Sequence, residues 1–131
     1  MFADMSVLVV EDDARSLLSI TRLLKGLGLR FKRNTTGAHV VEQVNLMRPS
    51  LVLLNVDLPD GDPYEICDHI RQNPATADTP IVAMGDNVDQ IHGCDRCGDR
   101  RCFFALVRKP LSQKELIGIL NCLVAGSSAP V

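Results

Sequence analysis

Four runs of three or four consecutive apolar residues punctuate this chain, Val7-Leu8-Val9-Val10, Leu51-Val52-Leu53-Leu54, Ile81-Val82-Ala83-Met84 and Ala105-Leu106-Val107, with longer amphipathic stretches between them. Runs this short and this uniformly apolar suit strands buried on both faces. The intervening stretches have the length and the 3.6-residue periodicity of covering helices. The alternation predicts an α/β domain built on a parallel sheet. A weaker run from Leu29 to Arg33 supplies another strand, so the reading is five strands and five helices in one domain over residues 1–125. The remainder, 126–131, reads as a frayed, disordered tail.

The helix boundaries have local signals. The first helix is predicted from Ala14 to Leu27, with Leu17, Ile20, Leu24 and Leu27 on one face and Gly26 and Gly28 at its end. The second opens at Thr35 or Thr36, turns Val40, Val41, Val44 and Met47 inward, and stops at Pro49. Asp62-Pro63-Tyr64-Glu65 reads as an N-cap, a proline at the first helical position and an acid in the first turn. The helix that follows should bury Ile66, Cys67 and Ile70. Ser112-Gln113-Lys114-Glu115 forms a capping box for the last helix, which directs Leu116, Ile119, Leu120 and Leu123 to the sheet. Between Asp86 and Arg101 only Val88 and Ile91 are strongly aliphatic, so the helix expected there has the weakest apolar face. Cys67 and Cys122 read as small core residues, and His39 and His69 as ordinary helix residues.

Composition narrows the function classes. A hydrophobic fraction of 46% over 131 residues is enough for one ordinary core. The net charge of −2 leaves no basic stripe, which removes the electrostatic support for direct nucleic-acid binding. No apolar stretch approaches the roughly 18 residues of a membrane span, and the N-terminus has no positive leader, so a cytoplasmic protein away from membranes is expected. Five cysteines in such a chain argue against a disulfide framework and for thiols or a metal site.

In an open parallel sheet the ligand site lies beyond the carboxyl ends of the strands. Glu11 and Asp12 follow the first apolar run, Asn55 follows Leu51 to Leu54, and Lys109-Pro110 follows Ala105 to Val107, so the sheet would gather them. Val-Val-Glu-Asp-Asp at 9–13, Leu-Leu-Asn-Val-Asp-Leu-Pro-Asp-Gly at 53–61, Ala-Asp-Thr-Pro-Ile-Val at 77–82 and Val-Arg-Lys-Pro-Leu at 107–111 together resemble the receiver domain of bacterial response regulators. The resemblance covers nearly the whole chain. It implies a CheY-like, flavodoxin-like (βα)5 fold, a doubly wound parallel five-stranded sheet in the order 2-1-3-4-5.

In that family an acidic pair helps hold magnesium, an aspartate accepts a phosphoryl group, and a lysine before a proline contacts that group. A hydroxyl after the fourth strand and an aromatic residue in the fifth respond to it. Carried onto this chain, the acidic pair is Glu11 and Asp12, the lysine is Lys109, and the acceptor position holds Asn55. The hydroxyl position is Gly85, and the aromatic position is Leu106; Phe103 and Phe104 stand nearby but out of register. Pro63 also replaces a glycine common in that loop.

A carboxylate attacks phosphorus through a charged oxygen, and a neutral carboxamide is a far poorer nucleophile. Magnesium prefers charged oxygen ligands in near-octahedral geometry, so Glu11 and Asp12 alone would hold it weakly or not at all. Asp57, two residues past Asn55 on the same side of an extended segment, could return a negative charge as a metal ligand or as a displaced acceptor. Other readings stand beside these. Asp13 suits a helix N-terminus, Lys109 could act as counter-ion to the carboxylates, and Pro110 could fix a turn through a cis bond.

His92, Cys94, Cys97 and Cys102 form a second group, four candidate zinc ligands within eleven residues. Arg96, Arg100 and Arg101 could equally lower thiol pKa values and make a redox pair. The plain alternative is free surface thiols, with Cys102 buried at the start of the fifth strand.

The function expected is a receiver-like signalling module, not an enzyme, that works by protein–protein interaction without aspartyl phosphorylation and requires no cofactor. Its partner would be a histidine kinase, an output protein or another signalling protein, and it could form a homodimer. Two alternatives remain: an ordinary phosphoacceptor captured as an Asp-to-Asn variant at 55, and a zinc or thiol sensor through His92 to Cys102. That Gly85 and Leu106 depart together with Asn55 favours natural loss over an introduced change.

Overall fold

The computed structural model describes Phe2 and residues 4–86 and 103–126. Within them the chain runs β1 (Ser6–Val10), α1 (Ala14–Gly26), β2 (Arg30–Asn34), α2 (Val40–Met47), β3 (Leu51–Asn55), α3 (Pro63–Gln72), β4 (Ile81–Gly85), β5 (Ala105–Arg108) and α4 (Gln113–Ala125). The strands form one parallel sheet in the order β2-β1-β3-β4-β5, as the resemblance implies. Its three central strands are the most apolar runs, since each is covered on both faces. Val7 to Val10, Leu51 to Leu54 and Ile81 to Met84 are all fully buried.

Alternation along each strand divides the core in two. Val7, Val9, Leu51, Leu53, Val82 and Met84 pack with Ile20 and Leu24 of α1 and Leu116, Ile119 and Leu120 of α4. Leu8, Val10, Val52, Leu54, Ile81 and Ala83 pack with Val40 and Val44 of α2 and with Ile66, Cys67 and Ile70 of α3. The sheet is therefore doubly wound. Register aligns the strand ends: Val10 pairs with Leu54, Asn55 with Met84 and Gly85 with Arg108. The residues that follow β1 and β5 and those that end β3 and β4 thus lie along one edge.

Three caps follow their sequence signals. Asp13 accepts from Ser16 N, Asp62 accepts from Tyr64 N with Pro63 in the first turn, and Ser112 and Glu115 form a complete capping box. The predicted start of α2 is corrected: the helix begins at Val40, not at Thr35 or Thr36. The Asn34 side chain accepts from Thr36 N and donates to Ala38 O, which coils residues 34–38 into a turn. His39 is likewise not a helix-interior residue, because it precedes α2 with φ 63°. Cys67 is buried as predicted, but Cys122 is only half-buried on α4. Leu123 is partly buried against the core. The expected helix beyond Asp86, the His92–Cys94–Cys97–Cys102 group and the tail past Gly126 lie outside the described residues.

The loop before α2 docks on the loop before α3 through two glycines. A Cβ on Gly37 would stand 3.0 Å from both Asp60 O and Gly61 Cα. Gly37 N also donates to Asp60 Oδ1 at 2.9 Å. Gly37→Ala is expected to cost about 1–3 kcal/mol in urea unfolding. Gly118→Ala, in α4 with open space around it, should instead stabilise by about 0.5–1 kcal/mol.

Candidate functional site

Each residue of the site owes its place to a strand end. Glu11 and Asp12 follow β1, Asn55 is the last residue of β3, Gly85 is the last of β4, and Lys109 follows β5. The structure brings Glu11, Asp12, Asn55 and Lys109 into one hydrogen-bonded group. Lys109 Nζ lies 2.9 Å from Glu11 Oε1 and 2.8 Å from Oε2. The Glu11 side chain is 0% exposed and that of Lys109 16%, so this is a buried ion pair. Oε1 further accepts from Asn55 Nδ2 and from Asp13 N, both at 3.1 Å. Oε2 receives no directed hydrogen bond from the described residues and depends on the ammonium charge. The peptide bond between Lys109 and Pro110 is cis.

Asn55 is 2% exposed and uses its whole amide. Nδ2 donates to Glu11 Oε1 at 3.1 Å and to Asp12 Oδ1 at 2.9 Å, while Oδ1 accepts from Asp57 N at 3.0 Å. Chemistry fixes this orientation, because a flipped amide would set an oxygen against two carboxylates and an NH2 against a backbone N–H. The amide thus supplies the positive end that two adjacent carboxylates require.

This donor set does not fit magnesium. A divalent ion shared by Glu11 and Asp12 would meet the hydrogens of Asn55 Nδ2, and a hard cation wants oxygen lone pairs there. Among the described residues no three of His, Cys, Asp and Glu are grouped to hold a metal.

Asp57 sits at the rim, exposed, and its carboxylate turns toward β4, where Oδ2 accepts from Asp86 N at 3.0 Å. With Asp12, Asp13, Ser16, Asn55, Asp86, Lys109 and Pro110 it lines an open cleft of about 530 Å³. Gly85 is buried beside Asp57. Leu106 lies away from the cleft, 46% exposed on β5. The buried aromatic residue of this region is Phe103, whose ring meets Tyr64 edge-on with centroids 6.0 Å apart. Sequence reasoning placed Asp57 at the pocket but missed its bond to Asp86. The bare position at 85 was the available signal.

Residues 7–121 match the response regulator receiver domain family. Among curated proteins, the chain is 32% identical over 126 residues to the peroxide stress-activated histidine kinase mak1 of Schizosaccharomyces pombe, covering 88% of this chain and 8% of the kinase. It is 30% identical over 111 residues to the DNA-binding response regulator MtrA of Mycobacterium tuberculosis H37Rv, covering 85% of this chain and 46% of MtrA. The chain therefore spans less than half of either protein. Among solved structures, it is similar to the receiver domain of the sensor histidine kinase PA1611 from Pseudomonas aeruginosa, determined with a magnesium ion in its active-site cleft. The TM-score is 0.77 and the identity 27%, covering 92% of this chain and 98% of that one. No helix among the described residues is long and apolar enough to cross a membrane. With its strand order, its strand-end residues and a family match from Val7 to Asn121, this chain is a response regulator receiver domain of the kind used in two-component signalling.

Proposed function

We propose that this receiver domain signals by protein–protein interaction and does not pass through an aspartyl phosphate. The observation that carries the reading is the Asn55 amide, closed by hydrogen bonds to Glu11, Asp12 and the Asp57 backbone. An acceptor must offer an anionic oxygen to phosphorus. Asn55 offers a neutral one, already spent on a backbone N–H. The magnesium of the PA1611 receiver is not carried over, because the nitrogen of Asn55 faces the carboxylates that a metal would use. Its partner is taken to be a kinase or an output protein, the company in which the matching regions of mak1 and MtrA occur.

The test is intact mass after incubation with magnesium and a small phosphodonor such as acetyl phosphate. The protein is expected to keep its mass. A labile, hydroxylamine-sensitive phosphoryl adduct mapped to Asp12 or Asp57 would overturn the proposal.

A further inference from the structure

We propose that the carboxylate of Asp57 is a resident anion that clamps the C-terminal end of β4, a role made possible by the missing side chain at Gly85. Asp57 Oδ2 accepts from Asp86 N at 3.0 Å, across 29 residues of sequence. A Cβ on Gly85 would stand 2.8 Å from that same oxygen, 3.3 Å from Asp57 Cγ and 2.9 Å from Val56 Cγ2. The first distance is one that real Cβ atoms do not reach, so the smallest side chain at 85 would push the carboxylate off the Asp86 N–H.

The rest of the strand end is gripped from both sides. Val56 N donates to Met84 O at 2.8 Å, Lys109 N donates to Gly85 O at 3.2 Å, and Arg108 Nη1 lies 3.4 Å from Asp86 O. The Asp86 N–H is the donor left at the end of that ladder, and Asp57 takes it. A chain of bonds then links the two departures: the Asn55 oxygen holds the Asp57 backbone, and the Asp57 side chain holds Asp86. An external anion approaching this N–H finds both the donor and the space occupied by like charge. The clamp keeps β4 and the loop after β3 in one arrangement without a modification event. It holds whether or not Asp12 accepts a phosphoryl group, and it is read in unmodified protein, so its failure and that of the proposed function are separable.

Amide hydrogen exchange at Asp86, read by NMR on labelled protein, tests the clamp. Asp57→Ala and Gly85→Ala should each speed exchange at Asp86 by about tenfold, through loss of one hydrogen bond and the local opening it allows. Asp57→Asn, which keeps an acceptor oxygen, should speed it less. In the Asp57→Ala background, adding Gly85→Ala should produce a much smaller further increase, the part that comes from its contact with Val56 Cγ2. Because Asp57 is exposed, its alanine variant tests the bond even if Gly85→Ala perturbs folding. Unchanged exchange at Asp86 in Asp57→Ala would overturn the proposal, as would equal and independent effects of the two substitutions.

Discussion

Lys109→Met is expected to cost about 3–5 kcal/mol of folding stability, because it leaves a buried carboxylate without its counter-charge. Methionine keeps most of the apolar stem and removes only the ammonium. Lys109 Nζ lies within 2.9 Å of both Glu11 oxygens, and Glu11 is fully buried. Oε1 would retain Asn55 Nδ2 and Asp13 N, while Oε2 would lose the ammonium that faces it. The desolvation cost already incurred by Glu11 then loses its charge compensation and keeps only those two hydrogen bonds. Urea unfolding checks this, with an unchanged denaturant slope showing that stability alone has moved. Neutralising the orphan by Glu11→Gln in the Lys109→Met background should recover a substantial part of the loss. A cost under about 1 kcal/mol, the range of exposed pairs, would show that the ion pair does not hold the site together.

Asn55→Asp is expected to destabilise the metal-free protein by about 2–4 kcal/mol, since two charge-assisted hydrogen bonds become two carboxylate contacts. The substitution is nearly isosteric, so packing does not enter. It changes what stands 3.1 Å from Glu11 Oε1 and 2.9 Å from Asp12 Oδ1, from a donor to a negative oxygen. Magnesium at millimolar concentration should restore most of the loss in the variant, because binding to the folded state alone stabilises it by mass action. The protein carrying Asn55 should show no such gain. Thermal and urea melts with and without magnesium make the comparison. Equal stabilisation of both proteins by magnesium would mean that the amide does not exclude the ion.

Much of the architecture was legible because the central strands are buried on both faces, which leaves runs such as Leu51 to Leu54 no polar positions to blur the signal. Local caps were equally readable. Asp62-Pro63 and Ser112 with Glu115 act within one turn, so neighbouring letters suffice to find them. The start of α2 misled because Thr35 and Thr36 look like caps. Only the structure shows Asn34 coiling that segment and Gly37 docking on Gly61, a contact 24 residues distant. The strand order came from family resemblance and not from periodicity. At the site, strand-end position predicted which residues gather. The direction of the Asn55 amide and of the Asp57 carboxylate is set by partners 44 and 29 residues away, which no local pattern encodes. Cys122 also misled, since an apolar helix does not turn every small residue inward and Cys122 is only half-buried on α4.

The side-chain amide of Asn55, followed by nitrogen–proton NMR while magnesium is added, tests most directly whether the amide itself occupies the place of a cation. Both protons of this NH2 group are expected to exchange slowly with water, held by Glu11 and Asp12, and to stay unmoved through millimolar magnesium. A saturable shift of those two signals, or exchange with water as fast as that of an exposed side-chain amide, would contradict it.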